Sequence, residues 1–177
     1  ICDGGNYYNY TVTYADPPKE ATQKPLLSSA ADGFYSENAR KGPTLENCLL
    51  EGMHDDTVNI HGKIWKVKEV NGNVAVIDMW IIPPLKGDLF RFFDAKHVPV
   101  GEAKLVAFRS AGGSLVRMEI DRPVSENSKS AVNTDTTGAG FVIRNCVTKN
   151  HRGRGFLVRP DNGLIENCVI EDIQRCA

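Results

Sequence analysis

A short recurring segment constrains the fold of this chain more than any other feature. An apolar residue, a charged residue and the pair Asn-Cys recur in "TLENCLLEG" from Thr44, "FVIRNCVTK" from Phe141 and "LIENCVIED" from Leu164. The last two copies place Asn145 and Asn167 22 residues apart. That spacing is too short for helical hairpin repeats of about 34 residues, and the leucine-rich frame L-x-x-L-x-L-x-x-N is not met. It fits one coil of a parallel β-helix.

Stacked coils place equivalent residues about 4.8 Å apart, the spacing between neighbouring strands. Two ladders are therefore expected, of the asparagines Asn47, Asn145 and Asn167, and of the cysteines Cys48, Cys146 and Cys168. Asparagine side chains in such a ladder bond the backbone of turns. The thiols are interpreted as small packing residues, because no cysteine pair has the C-x-x-C spacing of a zinc site.

The repeat is interrupted by a segment with a different pattern. Runs such as "KIWKVKEV" and "VAVIDMWII" are joined by Asn71–Asn73, whose Asn-Gly pair is a strong hairpin signal. We predict β-helix coils over 1–63, an inserted antiparallel β-barrel or sandwich with its return linker over 64–139, and further coils over 140–177. The polar stretch Val124–Gly140 is interpreted as the linker. The predicted fold class is all-β.

Three aspartates are candidate catalytic residues. Asp55 and Asp56 are adjacent in "GMHDDTVNIHG", and aligning the preceding "ADGFYSEN" with "DDTVNIHG" places Phe34 above Val58 and Asp32 above Asp56. Crowded carboxylates repel one another, which raises the pKa of at least one. Such crowding is typical of catalysis or of cation binding, and the alternative is that the aspartates are turn residues facing water.

Polar residues on the same coils are candidate substrate contacts: Glu37, Asn59, His61, Arg152 and Arg154. Asn59 and His61 share one face of a predicted strand, since strand side chains alternate. Glu37 aligns one coil above His61, where exposed surface is its alternative role. An arginine fork suits hydroxyl or carboxylate groups of a sugar, although Arg154 could equally be a charge-balancing partner of Asp56.

The same carboxylates also raise the question of a metal. Calcium needs several oxygen ligands, which Asp32, Asp55, Asp56 and Asn59 could supply. Zinc prefers more histidine or cysteine ligation, so it is disfavoured. The leading interpretation therefore needs no cofactor, and calcium is its alternative.

Several motifs resemble those of glycoside hydrolase family 110, the α-1,3-galactosidases that act on blood group B-type and related terminal α-galactosides. They are "ADGFYS", "KGPTLENC", the paired "DD", "NIHG", "GDLFRFFD" and "NHRGRGFLVRPDNGLIENC", which together cover Pro25–Asp172. The resemblance implies a right-handed parallel β-helix of the pectate-lyase type, metal-independent inverting hydrolysis, and a secreted or periplasmic protein. Asp32, Asp55 and Asp56 match the family's aspartates. Its glutamate is not aligned here, which leaves the general acid unassigned.

Composition limits the partners. The net charge is −1, so nothing favours nucleic acid, and no apolar run approaches the roughly 20 residues of a membrane span. A carbohydrate is the predicted partner. The open ends of a coil stack expose strand edges, so further chain, a cap or a second copy in a homo-oligomer is expected to cover them.

Three functions follow as hypotheses. The first is inverting hydrolysis of terminal α-1,3-galactosides, with one carboxylate activating water and one protonated carboxyl group donating to the leaving oxygen. The second is a calcium-assisted polysaccharide lyase in which Arg152 or Arg154 abstracts a proton. The third is a non-catalytic carbohydrate-binding or structural β-helix fragment.

Overall fold

The computed structural model describes residues 3–79 and 83–175 and shows an all-β protein. Apart from a 3-10 turn at Thr134–Thr136, the described residues form strands and loops. None of them forms a helix that could cross a membrane. Three features of the sequence lie outside the described residues: Cys2, Cys176 and the end of a predicted hairpin strand at 80–82.

The strands fall into two compact units, Ile1–His61 with Thr136–Ala177, and Gly62–Asp135. In chain order they are β1 (Asn6–Tyr8), β2 (Thr11–Val12), β3 (Phe34–Glu37), β4 (Thr44–Glu46), β5 (Leu49–Glu51), β6 (Val58–His61), β7 (Ile64–Asn71), β8 (Val74–Asp78), β9 (Leu89–Phe93), β10 (Pro99–Gly112), β11 (Leu115–Ile120), β12 (Ser130–Asn133), β13 (Val142–Arg144), β14 (Val147–His151), β15 (Phe156–Val158), β16 (Leu164–Glu166) and β17 (Val169–Ile173).

The first unit consists of three parallel sheets, ordered β1-β4-β13-β16, β2-β5-β14-β17 and β3-β6-β15. Consecutive strands enter different sheets: β4, β5 and β6 are followed in the same sheets by β13, β14 and β15. We call each such pass a coil. Leu45 pairs in register with Ile143, and both are fully buried in an apolar core that also contains Leu50 and Ile60.

The predicted Asn-Cys ladders are confirmed. Asn145 Nδ2 donates to Asn47 Oδ1 at 3.3 Å, and all three ladder asparagines have φ between 51° and 57°, the left-handed region that asparagine tolerates at turns. Cys48 and Cys146 are buried free thiols. Burial raises the pKa of Cys146 and, on the next coil, of Cys168, which suits thiols that pack.

The second unit is a closed barrel, ordered β10-β11-β8-β7-β12-β9. The predicted hairpin is confirmed: β7 and β8 pair antiparallel across a turn in which Gly72 has φ 55°. Fully buried Phe90 and Phe92 fill the barrel core together with Leu105 and Met118. These residues alternate along their strands with more exposed ones, as the wall of a filled barrel requires.

One part of the barrel was predicted wrongly. The stretch Val124–Gly140, interpreted as a polar linker, contains β12, which pairs antiparallel with both β7 and β9 and closes the barrel. The buried side chains of β12 are Ala131 and Asn133, and the Asn133 amide donates to Asp88 at 2.7 Å. A strand that buries alanine and a hydrogen-bonded asparagine lacks the apolar alternation by which strands are recognised.

Candidate active site

The candidate site lies where three coils enter the sheet β3-β6-β15. Phe34 pairs with Val58, and Val58 pairs with Phe156, so the residues two positions earlier also stack. Asp32, Asp56 and Arg154 occupy those positions on successive coils. The predicted alignment of Phe34 above Val58 and Asp32 above Asp56 is thus confirmed.

The three aspartates converge. One carboxylate oxygen from each of Asp32, Asp55 and Asp56 lies within 4.8 Å of the others. Their environments differ: Asp56 is 1% exposed, Asp32 is half-buried and Asp55 is exposed. The Asp56 backbone N–H donates to Asp32 Oδ1 at 3.2 Å and to Asp55 Oδ1 at 3.0 Å, which ties both carboxylates to the turn.

Arg154 neutralises only one member of the cluster. Its Nε and backbone N–H donate to Asp56 Oδ1 at 2.8 and 3.0 Å, and its Nη2 donates to Asp56 Oδ2 at 3.0 Å. These bonds raise the pKa of Arg154. A bidentate pair of this kind offsets the loss of hydration of a buried carboxylate. The charges of Asp32 and Asp55 are not offset in the same way.

Asp32 is easier to protonate than an ordinary aspartate. Burial, followed by repulsion from Asp55 and Asp56, raises its pKa above the ordinary value. A hydrogen bond from Asn59 Nδ2 to Asp32 Oδ2 at 3.2 Å opposes the shift in part. Desolvation and like charges act in the same direction on a carboxyl group, so together they raise the pKa of Asp32 despite the hydrogen bond from Asn59.

Glycines on the neighbouring coils make room for the Asp55–Asp56 turn. A Cβ atom at Gly153 would lie 2.2 Å from the carbonyl carbon and oxygen of Asp55. A Cβ atom at Gly33 would lie 2.8 Å from the Thr57 carbonyl oxygen. Backbone atoms cannot move aside as a flexible side chain can, so glycine at both positions lets the turn lie between the coils above and below.

The other predicted contacts lie on or beside the same sheet. Glu37 pairs in register with His61, and Asn59 pairs with Tyr35. Arg152, by contrast, is exposed at the turn before β15. Tyr35 is 53% exposed, and its ring meets the His61 ring edge-on with centroids 5.5 Å apart. Tyr35 was not predicted from the sequence. The alignment of the two strands could have indicated it, because Tyr35 is the residue aligned with Asn59 on the preceding coil.

A buried polar group beside the cluster was not predicted from the sequence. His151 Nε2 lies 2.7 Å from Thr57 Oγ1 and 2.9 Å from the Arg154 carbonyl oxygen. Thr57 Oγ1 is also 2.8 Å from Thr148 Oγ1. His151, Thr57 and Thr148 are all buried. The signal was present only as a histidine at a position that is apolar on the neighbouring coils.

A divalent cation at this cluster would have to share Asp56 with Arg154. Calcium binds six to eight oxygens, and three carboxylates are close enough to begin such a shell. Both Asp56 oxygens, however, accept hydrogen bonds from Arg154. A cation would therefore have to compete with the guanidinium at Asp56 and would rely on Asp32 and Asp55 as its other carboxylate ligands.

Comparison with known proteins agrees with the motifs. No family model matches the chain. Alpha-1,3-galactosidase B of Akkermansia muciniphila is 27% identical over 155 residues, which cover 81% of this chain and 20% of that protein. Alpha-1,3-galactosidase B of Bacteroides thetaiotaomicron is 26% identical over 161 residues, which cover 85% of this chain and 26% of that protein.

These relatives confirm the resemblance to α-1,3-galactosidases that the sequence motifs indicated. The matched region includes most of the chain, so the similarity is not confined to one unit. The chain spans about a fifth and about a quarter of the lengths of the two relatives.

Proposed function

We propose that this chain carries a glycoside-hydrolysing site that acts on terminal α-galactosides, α-1,3-linked, with inversion at the anomeric carbon. The observation that supports it most is the convergence of three carboxylates of which only one is neutralised. Two crowded acids with different environments are the arrangement that acid and base catalysis of glycosidic cleavage needs. The similarity to two proteins named alpha-1,3-galactosidase supports the sugar and the linkage.

The proposed roles follow from the three environments. Asp32, whose pKa is raised, is the candidate donor of a proton to the leaving oxygen. Exposed Asp55 is the candidate base: it takes a proton from the water whose oxygen attacks the anomeric carbon as the glycosidic bond breaks. Asp56, whose charge is offset by Arg154, is the candidate anchor of the other two, since its backbone N–H donates to Asp32 Oδ1 and to Asp55 Oδ1.

Inversion rests on the resemblance. Inverting enzymes hold their carboxyl groups about 6.5–9.5 Å apart, and retaining enzymes about 5–5.5 Å apart. The 4.8 Å limit observed in the cluster is measured between single oxygens and does not separate the two classes. The anomeric form of the first product will therefore show whether the reaction inverts or retains the configuration.

The sheet face beside the cluster is proposed to hold the sugar. Asn59 lies between Tyr35 and Leu157 of the neighbouring coils, and His61 pairs with Glu37. Arg152 is exposed at the turn before β15. Side chains of this polarity bond sugar hydroxyls, while an aromatic ring such as Tyr35 offers an apolar surface. Arg154 reaches the substrate only indirectly, because its guanidinium is bound to Asp56.

The fold proposed for this site is a right-handed parallel β-helix with the barrel unit inserted. Three parallel sheets through which successive coils pass in one order support it, as do the ladders of asparagine and cysteine. In such a stack, each coil contributes one or two side chains to a shared face. A carboxylate cluster can then be assembled from residues distant in sequence.

The test is hydrolysis of an oligosaccharide that ends in α-1,3-linked galactose, followed by proton NMR of the released sugar. We expect β-galactose to appear first. We also expect Asp32→Asn and Asp55→Asn each to lower kcat at least about 100-fold. Glu51→Gln, which removes an acid from the same coil as Asp55, should leave kcat unchanged.

Four results would count against the proposal. Wild-type activity matched by both asparagine variants would remove these residues from the mechanism, and α-galactose as first product would replace inversion by retention. A calcium-dependent product that absorbs in the ultraviolet would identify a polysaccharide lyase instead. Binding of α-galactosides without turnover would identify a carbohydrate-binding role.

A further inference from the structure

His151 stands between two apolar residues in one column of stacked coils. Lys149 pairs with Glu51, and Arg152 N donates to the Met53 carbonyl at 3.1 Å, so His151 stacks on Met53. On the following coil it pairs with Ile173. His151 is 2% exposed. A polar ring at an apolar position loses its hydration on burial, so its hydrogen bonds have to offset that loss.

Those bonds define which ring nitrogen carries the hydrogen. A carbonyl oxygen only accepts, so the 2.9 Å contact with the Arg154 carbonyl makes His151 Nε2 a donor. Nδ1 is buried and has no hydrogen-bond partner among the residues that the structure describes. The ring therefore makes its polar contacts through Nε2–H alone. This one N–H lies within hydrogen-bond distance of two oxygens, the Arg154 carbonyl oxygen and, at 2.7 Å, Thr57 Oγ1.

The Arg154 carbonyl is consequently held from two sides. The Thr57 backbone N–H donates to it at 3.0 Å, and His151 Nε2–H donates from below. The same arginine holds Asp56 through its own backbone N–H and its guanidinium. Displacement of the Arg154 backbone would therefore move all three of the hydrogen bonds that fix the buried carboxylate.

We infer that His151 is a positioning residue of the carboxylate cluster: its Nε2–H holds the Arg154 carbonyl and, through Arg154, fixes Asp56 between Asp32 and Asp55. The part of this inference that concerns turnover rests on the proposed hydrolytic function. The part that concerns the order of Arg154 does not, since it depends only on the contacts of His151.

Two substitutions separate positioning from packing. His151→Met places the residue found one coil earlier, Met53, into the column and removes the donor. His151→Gln keeps an N–H donor near the position of Nε2. Met53→Leu is the matched control, because it alters the same apolar column and leaves the contact between His151 and Arg154 intact.

The first readout needs no activity. Proton–nitrogen NMR of the whole chain, with the Arg154 Nε–H resonance assigned by its loss in Arg154→Lys, reports exchange of that hydrogen with solvent. We expect His151→Met to speed this exchange at least about tenfold, while wild type, His151→Gln and Met53→Leu remain protected. An Arg154 resonance equally protected in His151→Met would overturn the inference, as would equal loss of protection in the Met53→Leu control.

The second readout is turnover of an α-1,3-galactoside. We expect His151→Met to lower kcat about 10- to 100-fold with KM nearly unchanged, and His151→Gln to recover most of the loss. Equal kcat in His151→Met and wild type would overturn the catalytic consequence. If wild type itself shows no turnover, the hydrolytic proposal fails, and the Arg154 resonance still decides whether His151 positions the arginine.

Discussion

Two acidic regions on the same stacked coils differ in how far their negative charges are offset by neighbouring groups. Glu51, at the end of β5, accepts hydrogen bonds from Asn150 Nδ2 at 2.8 Å and Thr13 Oγ1 at 2.9 Å. Lys149 Nζ lies 4.0 Å from its carboxylate. The Asn150 bond, the Thr13 bond and the lysine charge together lower the pKa of Glu51.

In the Asp32, Asp55 and Asp56 region, the one arginine that binds a carboxylate among the described residues is Arg154, which binds Asp56. There the pKa of Asp32 is raised, by burial first and by its acidic neighbours next. The coils could satisfy an acid from above and below, as they do for Glu51. Uncompensated charge is therefore not imposed by the fold, and such departures are concentrated at functional sites.

Of the substitutions that test this contrast, removal of Arg154 should have the largest effect on stability. Arg154→Met leaves the buried Asp56 carboxylate without its partner, which we expect to lower the free energy of unfolding by about 3 kcal/mol. Chemical denaturation at neutral pH measures this change. Arg144→Met is the matched control, because Arg144 pairs with the exposed Glu166 carboxylate on the neighbouring coil.

An exposed pair contributes about 0–1 kcal/mol, so the control should change stability little. Equal losses in Arg144→Met and Arg154→Met would show that burial of Asp56 does not distinguish the two pairs.

Glu51→Gln should reduce stability by a smaller amount, and only above acidic pH. A folded-state pKa below the unfolded value of about 4.3 means that the charged form stabilises the fold above that pH, and that this contribution is lost as pH falls through the folded pKa. We expect a loss of at most about 1 kcal/mol at neutral pH. Denaturation curves of variant and wild type at pH 7 and pH 3 should differ at the first pH and converge at the second.

Asp32→Asn should change stability in the opposite direction, by raising it, and by the smallest amount of the three variants. Because the folded-state pKa is raised, the protonated form is favoured, and a penalty appears as pH rises above the unfolded value of about 3.9. Removing that charge should raise the melting temperature by about 1–3 °C at pH 7, with no gain at pH 3. A lower melting temperature at pH 7 would show that the carboxylate stabilises the fold there.

The coil architecture could be predicted because stacking turns sequence offsets into contacts. The common offset between two aligned coils was enough to place Asp32 above Asp56, and the Asn-Cys pairs fixed the remaining coils. The barrel strands were equally readable where β-rich runs met an Asn-Gly turn. Prediction failed at β12, because this strand buries Ala131 and Asn133 and so lacks the alternation of large apolar and polar residues that identifies a strand.

The electrostatic detail of the site could not be predicted in the same way. The alignment placed Arg154 next to Asp56 but did not decide between an ion pair with Asp56 and a contact with substrate. That choice depends on burial, and Asp56 is the buried member of the two adjacent aspartates. The contact of His151 with a backbone carbonyl was likewise absent from any residue pattern, because a carbonyl group is common to every position.

The most direct test of the contrast between the two regions is a carbon-13 NMR titration of the side-chain carboxyl groups in a single sample. Asp32 and Glu51 would be assigned by the loss of their signals in Asp32→Asn and Glu51→Gln. We expect Asp32 to titrate above the ordinary aspartate value of about 3.9 and Glu51 below the ordinary glutamate value of about 4.3. Titration of Asp32 at or below its ordinary value would contradict the claim that the cluster retains uncompensated charge.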